Sequence, residues 1–277
     1  MQKNISNKTW RLIVTSPNTG AWNMALDEAI FESVCNDVCL PTLRLYAWNP
    51  FCLSLGHAQG ISEVDQDALD DYGWDLVRRP TGGRAILHAD EITYSVCAPL
   101  EDAHIKGGVI ESYRSISNCL LLALRNLGIA ADSKPKNTKE KNLSKDPVCF
   151  QYPSDYEITF QGKKFIGSAQ ARRSEALLQH GAIPLFGDLS RIVSVLFYES
   201  EEKRENVRKK LLSRATTLME ILGHRIPWQQ FAQVLIQAFE KEFEIYLNHQ
   251  NVTTQEFSRA EELVVNKYAN PDWTTRI

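Results

Sequence analysis

The sequence lacks any long apolar segment. Its longest purely apolar run, Cys119–Leu124, is far shorter than the roughly 20 residues that a membrane-spanning helix needs. Residues 1–10, MQKNISNKTW, contain no apolar stretch like that of a secretory signal. We therefore expect a chain with no membrane association that remains in the cytosol.

The sequence also lacks an excess of charge of either sign. Its 277 residues include 31 Lys and Arg against 34 Asp and Glu, for a net charge of −3. Such a balance argues against a protein whose overall field gathers DNA or RNA, and we expect no nucleic-acid partner. Hydrophobic residues make up 43% of the chain and charged residues 23%, which is typical of a folded globular protein.

Cysteine motifs are absent as well. The six cysteines form no CxxC, and no cysteine pair precedes a histidine pair at the spacing of a zinc site. We expect no metal and no disulfide framework, because cytosolic thiols stay reduced. Most of these cysteines should be small buried apolar residues.

The hydrophobic pattern predicts an α+β fold, a mixed β-sheet flanked by helices with a helical C-terminal section. Helices are predicted from about Trp22, from about Tyr113 to a stop at Gly128, and from Pro227 to Leu247; after Gly187 the pattern is helical to the end. Strands are predicted at 10–14, 42–48, 52–55, 75–79, 84–88, 92–97, 155–160, 163–169 and 177–185. We expect one catalytic domain over 1–277, with its core at about 10–187 and the helical section at about 188–277.

Residues 131–148 differ in composition from the rest of the chain. They contain five lysines, two prolines and almost no apolar residues, which predicts a mobile surface loop. The simpler interpretation is a solvated connector. The alternative is a lid or a docking surface for an acidic partner, because clustered lysines attract acidic proteins.

The most conspicuous motif is RRPTGGRAILH at 78–88. Gly82 and Gly83 have no Cβ, so their N–H groups can approach an anionic or carbonyl oxygen. Arg79 and Arg84 on either side can supply charge-assisted hydrogen bonds. On the turn chemistry alone, a hairpin turn with incidental basic residues is the favoured interpretation, and the motif is neither GxGxxG nor a Walker loop.

Two further signals follow along the chain. Cys149 lies at the end of the lysine-rich segment, where a basic setting favours the thiolate. Gln161-Gly162 predicts a hairpin that points one of Lys163 and Lys164 at the working surface of the sheet and the other at solvent. His180 comes next, and no acidic residue near it in the sequence pairs with it. Taken singly, each of these is more often structural than functional.

Taken in order, the motifs RRPTGGRAILH, PVCFQYPSDYEI, GKKFIGSAQARR and LQHGAIPL resemble the lipoate–protein ligase/octanoyltransferase family. The resemblance extends from WNMALDEAI at 22–30 to KYANPDWT at 267–274 and so covers nearly the whole chain. It implies the fold of the biotin/lipoate ligase catalytic domain.

Within that family, ligases activate a free acid with ATP, whereas octanoyltransferases take the acyl group from a carrier-protein thioester. Ligases typically carry a third glycine where this chain has Arg84, which favours the transferase type. The resemblance then implies that Cys149 carries an acyl thioester and that Lys164 lowers the thiol pKa. It implies octanoyl-acyl carrier protein as donor, a lipoyl domain such as that of glycine-cleavage H protein as acceptor, and no cofactor.

The same motifs supply the residues that we expect to bind substrate: Arg79, Gly82, Gly83, Arg84, His88, Gly167, Ser168, Ala169 and His180. Three alternatives stay open at this point. The alternatives to the octanoyltransferase are an ATP-dependent lipoate ligase, an amidotransferase that moves octanoyl between lipoyl domains, and a non-catalytic member that binds an acyl group or lipoyl domain without turnover.

Overall fold

The computed structural model of the protein describes residues 8–133, 157–173 and 175–277. Cys149 and nearly all of the lysine-rich segment lie outside these residues, so the expectations for both remain predictions. In chain order the strands are β1 (Thr9–Val14), β2 (Thr42–Tyr46), β3 (Cys52–Leu55), β4 (Asp75–Arg78), β5 (Ile86–His88), β6 (Glu91–Pro99), β7 (Asp132–Ser133), β8 (Ile158–Phe160), β9 (Lys163–Arg173), β10 (Ala176–Pro184) and β11 (Tyr246–His249).

Helices flank these strands. In chain order they are α1 (Gly20–Cys35), α2 (Gln66–Tyr72), α3 (Val109–Asn126), α4 (Glu201–Arg214), α5 (Leu218–Leu222), α6 (Trp228–Phe243), α7 (Thr254–Leu263) and α8 (Pro271–Thr274), with short 3₁₀ segments at Ile61–Glu63 and Leu189–Val195 and a π-helical turn at Val264–Tyr268. The predicted stop of α3 is confirmed, since Gly128 adopts the left-handed conformation with φ of 77°.

The main sheet is mixed, with strand order β11-β1-β2-β6-β10-β9-β8-β7. Its centre is the antiparallel pair β6 and β10, which pair over nine residues each. Alternating residues of β1 show the two layers: Leu12 packs in a core with α3 and α6, and Ile13 packs in a second core with α1. The predicted mixed sheet flanked by helices is confirmed.

A smaller sheet, ordered β4-β3-β5, lies beside the main one. The chain between β4 and β5 is the predicted RRPTGGRA turn. Arg78, at the end of β4, is fully buried, and its guanidinium donates to the carbonyl oxygens of Gly56 (2.9 Å), Gln59 (2.5 Å) and Thr274 (2.7 Å). The start of the turn is thereby fixed to segments far apart in the sequence.

The β8–β9 hairpin is confirmed. Phe160 pairs with Lys163 across the two-residue loop Gln161-Gly162, and both loop residues have positive φ. Residues 155–156 of the predicted first strand lie outside the described part of the chain.

The expectation of helix from Gly187 to the end is wrong at one element. Tyr246–His249 forms β11, which pairs in parallel with β1, and α6 ends at Phe243 rather than at Leu247. Glu244 has a left-handed conformation with φ of 50° that ends the helix. A four-residue edge strand with one buried side chain is too short to show a period of two, and its partner lies more than 200 residues away in the sequence.

Within the described ranges, no helix combines the length and the apolar character that crossing a membrane requires.

Candidate functional site

A cavity of about 150 Å³ lies where α1, the RRPTGGRA turn and strands of both sheets meet. All nine residues that the sequence predicts as substrate-binding lie in its wall. The wall also contains residues that sequence reasoning missed: Met24, Tyr46, Trp48, Ile86, Thr93, Glu157, Gly181 and Ala182. Most of the lining side chains are apolar or are glycines, so the cavity suits an apolar chain.

Arg79 holds the glycine turn in place. Its Nη1 donates to the backbone oxygen of Ser54 at 3.0 Å, and its Nη2 donates to the backbone oxygens of Gly82 and Arg84, both at 2.8 Å. Gly83 has φ of 99°, and a Cβ there would lie 2.8 Å from Arg79 Nη2. A side chain at position 83 is therefore opposed by both backbone strain and contact.

The N–H groups of Gly82 and Gly83 donate to no acceptor among the residues of the described ranges. A Cβ added at Gly82 would meet no atom within 4 Å. Since both glycines line the cavity, the turn presents two backbone donors next to open space. Such a pair can hold a carbonyl or anionic oxygen of a bound molecule.

His180, on β10, has no acidic partner near it in the sequence, but the fold gives it a distant one. Its Nδ1 lies 3.4 Å from Asp27 Oδ2, and its Nε2 lies 2.6 Å from Thr81 Oγ1. Asp27 is on α1, more than 150 residues away, so no local pattern could indicate the contact. The Asp27–His180–Thr81 chain connects α1 to the glycine turn.

Asp27 is fully buried and ionised. Burial by itself would raise its pKa, but Arg44 at 2.7 Å, together with hydrogen bonds from His180 and Tyr46, lowers the pKa below its ordinary value. Burial also lowers the pKa of His180 in spite of Asp27. His180 is therefore a neutral imidazole near pH 7.

His88, on β5, is held on three sides. Its Nδ1 lies 2.8 Å from Glu91 Oε1, its Nε2 lies 2.8 Å from Ser54 Oγ, and its ring stacks on Trp48 with centroids 4.0 Å apart. Both ring nitrogens are thus used within the protein. His88 contributes a fixed, flat surface to the cavity.

The hairpin places an ion pair at the edge of the cavity. Lys164 is buried, and its Nζ lies 2.5 Å from Glu157 Oε1, whereas Lys163 is half-buried. Glu157 lines the cavity, whereas Lys164 is not among the lining residues. A sequence signal for Glu157 did exist: the two-residue hairpin pairs Thr159 with Lys164, which brings the preceding acid within reach of the lysine.

Ser168 lies in the cavity wall, fixed by two tyrosines. Its Oγ lies 2.7 Å from Tyr94 Oη, and its backbone oxygen accepts a hydrogen bond from Tyr113 Oη at 3.0 Å. Across the strand pair, a Cβ on Gly181 would lie only 2.5 Å from Ser168 Oγ. This part of β9, with Gly167 and Ala169, is therefore a closely packed wall.

Arg84 stands between the cavity and a second, open groove of about 660 Å³. Its side chain is 39% exposed and lies 3.3 Å from Glu63 Oε1. His57, Gln170 and Arg172 also line the groove.

Cys149 lies outside the described residues. The other five cysteines are described, and none of them lines the cavity. Burial raises the pKa of all five, to about 11 for Cys39. None of them has the environment of a reactive thiolate.

Comparisons with known proteins match this architecture. The sequence-family model described as the lipoyl protein ligase A/B catalytic domain matches residues 19–240. Octanoyltransferase LipM of Carboxydothermus hydrogenoformans is 37% identical over 270 residues, and that of Bacillus subtilis is 36% identical over 274 residues; each alignment covers 97% of this chain and 99% of the relative.

Solved structures of the same kind superpose over nearly the full length. The bipartite lipoate protein ligase of Thermoplasma acidophilum superposes with a TM-score of 0.80 at 25% identity, covering 97% of this chain and 96% of that one. A structure of the Thermoplasma protein Ta0514, a putative lipoate protein ligase with bound lipoic acid, gives 0.78 at 26% identity, covering 97% and 99%. The chain therefore belongs to the lipoyl protein ligase A/B catalytic domain family.

Proposed function

We propose that this protein is an octanoyltransferase that moves octanoyl from acyl carrier protein to a lysine of a lipoyl domain, such as that of glycine-cleavage H protein. The observation that carries the proposal is the largely apolar cavity beside the backbone N–H groups of Gly82 and Gly83. It lies in a chain whose relatives over 97% of its length are octanoyltransferases. An apolar tail fills such a cavity while its carbonyl oxygen accepts hydrogen bonds from the turn.

In the proposed first step, the thiolate of Cys149 attacks the carbonyl carbon of the donor thioester. The carrier thiol leaves, and octanoyl stays on the enzyme as a new thioester. One thioester replaces another, so the exchange needs no nucleotide. The ammonium of Lys164 is buried and lies 2.5 Å from the carboxylate of Glu157, which lines the cavity. Its positive charge favours the thiolate form of Cys149.

In the second step, the amine of the acceptor lysine attacks the enzyme thioester. A C–N bond forms, the C–S bond breaks, Cys149 leaves as thiolate, and the proton lost by the amine nitrogen passes to water. An amide is more stable than a thioester, so this step drives the transfer. The developing negative charge on the carbonyl oxygen is stabilised by the amides of Gly82 and Gly83.

ATP-dependent lipoate ligation is the second candidate, because lipoate ligases superpose on the chain with TM-scores of 0.78 to 0.80. Arg84 argues against it. Its bulky side chain stands at the boundary of the cavity and the groove, where a glycine would leave backbone accessible to a phosphate.

The test is an intact mass measurement after incubation with octanoyl-acyl carrier protein in the absence of ATP. We expect the wild type to gain one octanoyl group that hydroxylamine removes, and Cys149→Ala to gain none. If neither protein gains mass and an acyl adenylate forms once ATP and free acid are added, the protein is a ligase. Binding of octanoyl-acyl carrier protein without any adduct or turnover would indicate a non-catalytic member.

A further inference from the structure

The open groove beside the cavity is lined by groups that are either basic or uncharged. Of the described residues that line it none is acidic, and three are His57, Arg84 and Arg172. The groove joins the cavity at the glycine turn, because Gly82, Gly83 and Arg84 line both. A molecule whose acyl end fills the cavity can therefore extend past the turn into the groove.

Arg172 is a half-buried cation that pairs with no carboxylate among the residues of the described ranges. Its Nη1 donates to the backbone oxygen of Gly107 at 3.0 Å, and its Nη2 donates to that of Gly108 at 2.6 Å and to Ser112 Oγ at 2.7 Å. Its Nε donates to Gln170 Oε1 at 3.0 Å. All four acceptors are neutral, so they hold the guanidinium in place while its charge remains available to attract an anion.

The two other basic residues of the groove differ from Arg172. Arg84 lies 3.3 Å from the carboxylate of Glu63, which offsets part of its charge. His57 is exposed at the other side of the groove lining, and its backbone oxygen accepts a hydrogen bond from Arg276 Nη2 at 2.9 Å. Arg172 is therefore the cation of the groove whose charge is least compensated.

The electrostatic surroundings of His57 are positive as well. Burial, and then the positive charges of Arg276, Arg78 and Lys267, lower the pKa of His57 below its ordinary value. The ring is thus neutral near pH 7, and a neutral imidazole still donates one N–H. His57 can hydrogen-bond an anion that the surrounding cations attract.

The donor of the proposed reaction brings an anion of a defined kind. An acyl carrier protein bears its acyl group on a phosphopantetheine arm, which has the thioester at one end and a phosphodiester at the other. A phosphodiester is negatively charged at neutral pH, and a guanidinium binds phosphate oxygens through charge-assisted hydrogen bonds. With octanoyl in the cavity and the thioester at the glycine turn, the groove offers the arm a path towards solvent.

We propose that the groove binds the phosphopantetheine arm of the donor, and that Arg172 and His57 contact its phosphate. This inference rests on the octanoyltransferase function proposed above and adds to it the part of the donor that is recognised. The phosphate contributes to binding of the donor, whereas the reacting carbonyl stays at the turn. A nucleotide phosphate shares this chemistry, so the experiment includes ATP.

Octanoyl-phosphopantetheine and octanoyl-pantetheine are small donors that differ only in the phosphate. We expect the wild type to transfer octanoyl to a lipoyl domain with a kcat/KM about 10- to 100-fold higher for the phosphorylated donor. In Arg172→Gln this preference should fall to about threefold or less. The loss should lie in KM more than in kcat, because the phosphate is remote from the reacting carbonyl.

Three further variants separate phosphate binding from a structural role. Arg172→Lys keeps the charge and should retain part of the preference. His57→Ala removes one neutral donor and should lower the preference by about 2- to 10-fold. Arg125→Gln, at an exposed arginine of α3 that does not line the groove, should keep the full preference. Thermal unfolding shows whether each variant is folded.

Equal use of the two small donors by the wild type overturns the inference. So does a loss in Arg172→Gln that is the same for both donors, which would show that Arg172 is structural. Transfer from octanoyl-acyl carrier protein alone also overturns it, because recognition would then lie in the folded part of the carrier. Failure to transfer octanoyl from any of the three thioesters would instead contradict the proposed function, and ligation of free octanoate with ATP in that case would assign the groove to a nucleotide.

Discussion

Two buried ion pairs flank the cavity, and they differ in whether their carboxylate lines the cavity wall. Asp27 accepts hydrogen bonds from Arg44, Tyr46 and Ser95 at 2.7–2.8 Å and lies 3.4 Å from His180, and it has no atom in the cavity wall. Glu157 pairs with Lys164 and does line the wall. The first pair holds the site together, whereas the second is placed to meet a bound molecule.

Removing one partner of the first pair should have the largest effect. Asp27→Ala leaves the Arg44 guanidinium, which is 0% exposed, buried without its carboxylate. We expect the free energy of unfolding to fall by about 3–5 kcal/mol, as measured by urea denaturation. Glu262→Ala, at an exposed ion pair of α7, should change it by less than about 1 kcal/mol. A loss below 1 kcal/mol in Asp27→Ala would show that the buried Asp27–Arg44 pair matters no more to stability than the exposed pair of Glu262.

Removing the cation of the second pair should affect chemistry more than stability. If Lys164 sustains the thiolate, Lys164→Met should raise the pKa of the Cys149 thiol and slow formation of the octanoyl-enzyme about 10- to 10³-fold at pH 7. Alkylation of Cys149 by iodoacetamide across a pH series measures the thiol directly. Lys163→Met is the matched control at the half-buried neighbour. An alkylation profile equal to that of the wild type would contradict the role of Lys164.

The smallest effect concerns pH and the first pair. Burial lowers the pKa of His180 below its ordinary 6.5. Just below pH 6.5, His180 therefore binds a proton more readily in the unfolded chain than in the folded protein. Stability should therefore fall as the pH drops below 6.5. Unfolding of His180→Gln should lack this loss, and the exposed His224→Gln should keep it. If the free energy of unfolding fell equally with pH in the wild type and both variants, His180 would not be the group responsible for the loss.

Local patterns predict most of the sheet and the cavity wall, because the strands and the RRPTGGRA turn depend on residues close together in the sequence. All nine residues assigned from the motifs do line one cavity. What the patterns cannot provide are contacts between distant segments. Asp27 reaches His180 only through packing of α1 on the sheet, and β11 exists only because β1 offers it an edge.

Glu157 is an intermediate case. It lies within the same motif as Cys149, and the hairpin register alone brings it near Lys164. The register does not predict which way the Glu157 side chain points relative to the cavity, because the cavity is assembled from α1, β2, β5 and β10. Burial of both partners of the ion pair is likewise set by the packing of the whole domain.

The fully buried guanidinium of Arg78 limits how far the chain can be shortened without loss of its partners. The matched family region ends at residue 240, yet the backbone oxygen of Thr274 accepts two hydrogen bonds from Arg78, and Trp273 Nε1 donates to the Arg78 backbone oxygen at 2.8 Å. A protein shortened to residues 19–240 would lose these partners together with β1 and β11, and would leave the cation at the base of the glycine turn without them. On the ribosome, the same contacts form only after residue 274 has emerged, so the start of the glycine turn is fixed at this end of the chain among the last features of the fold.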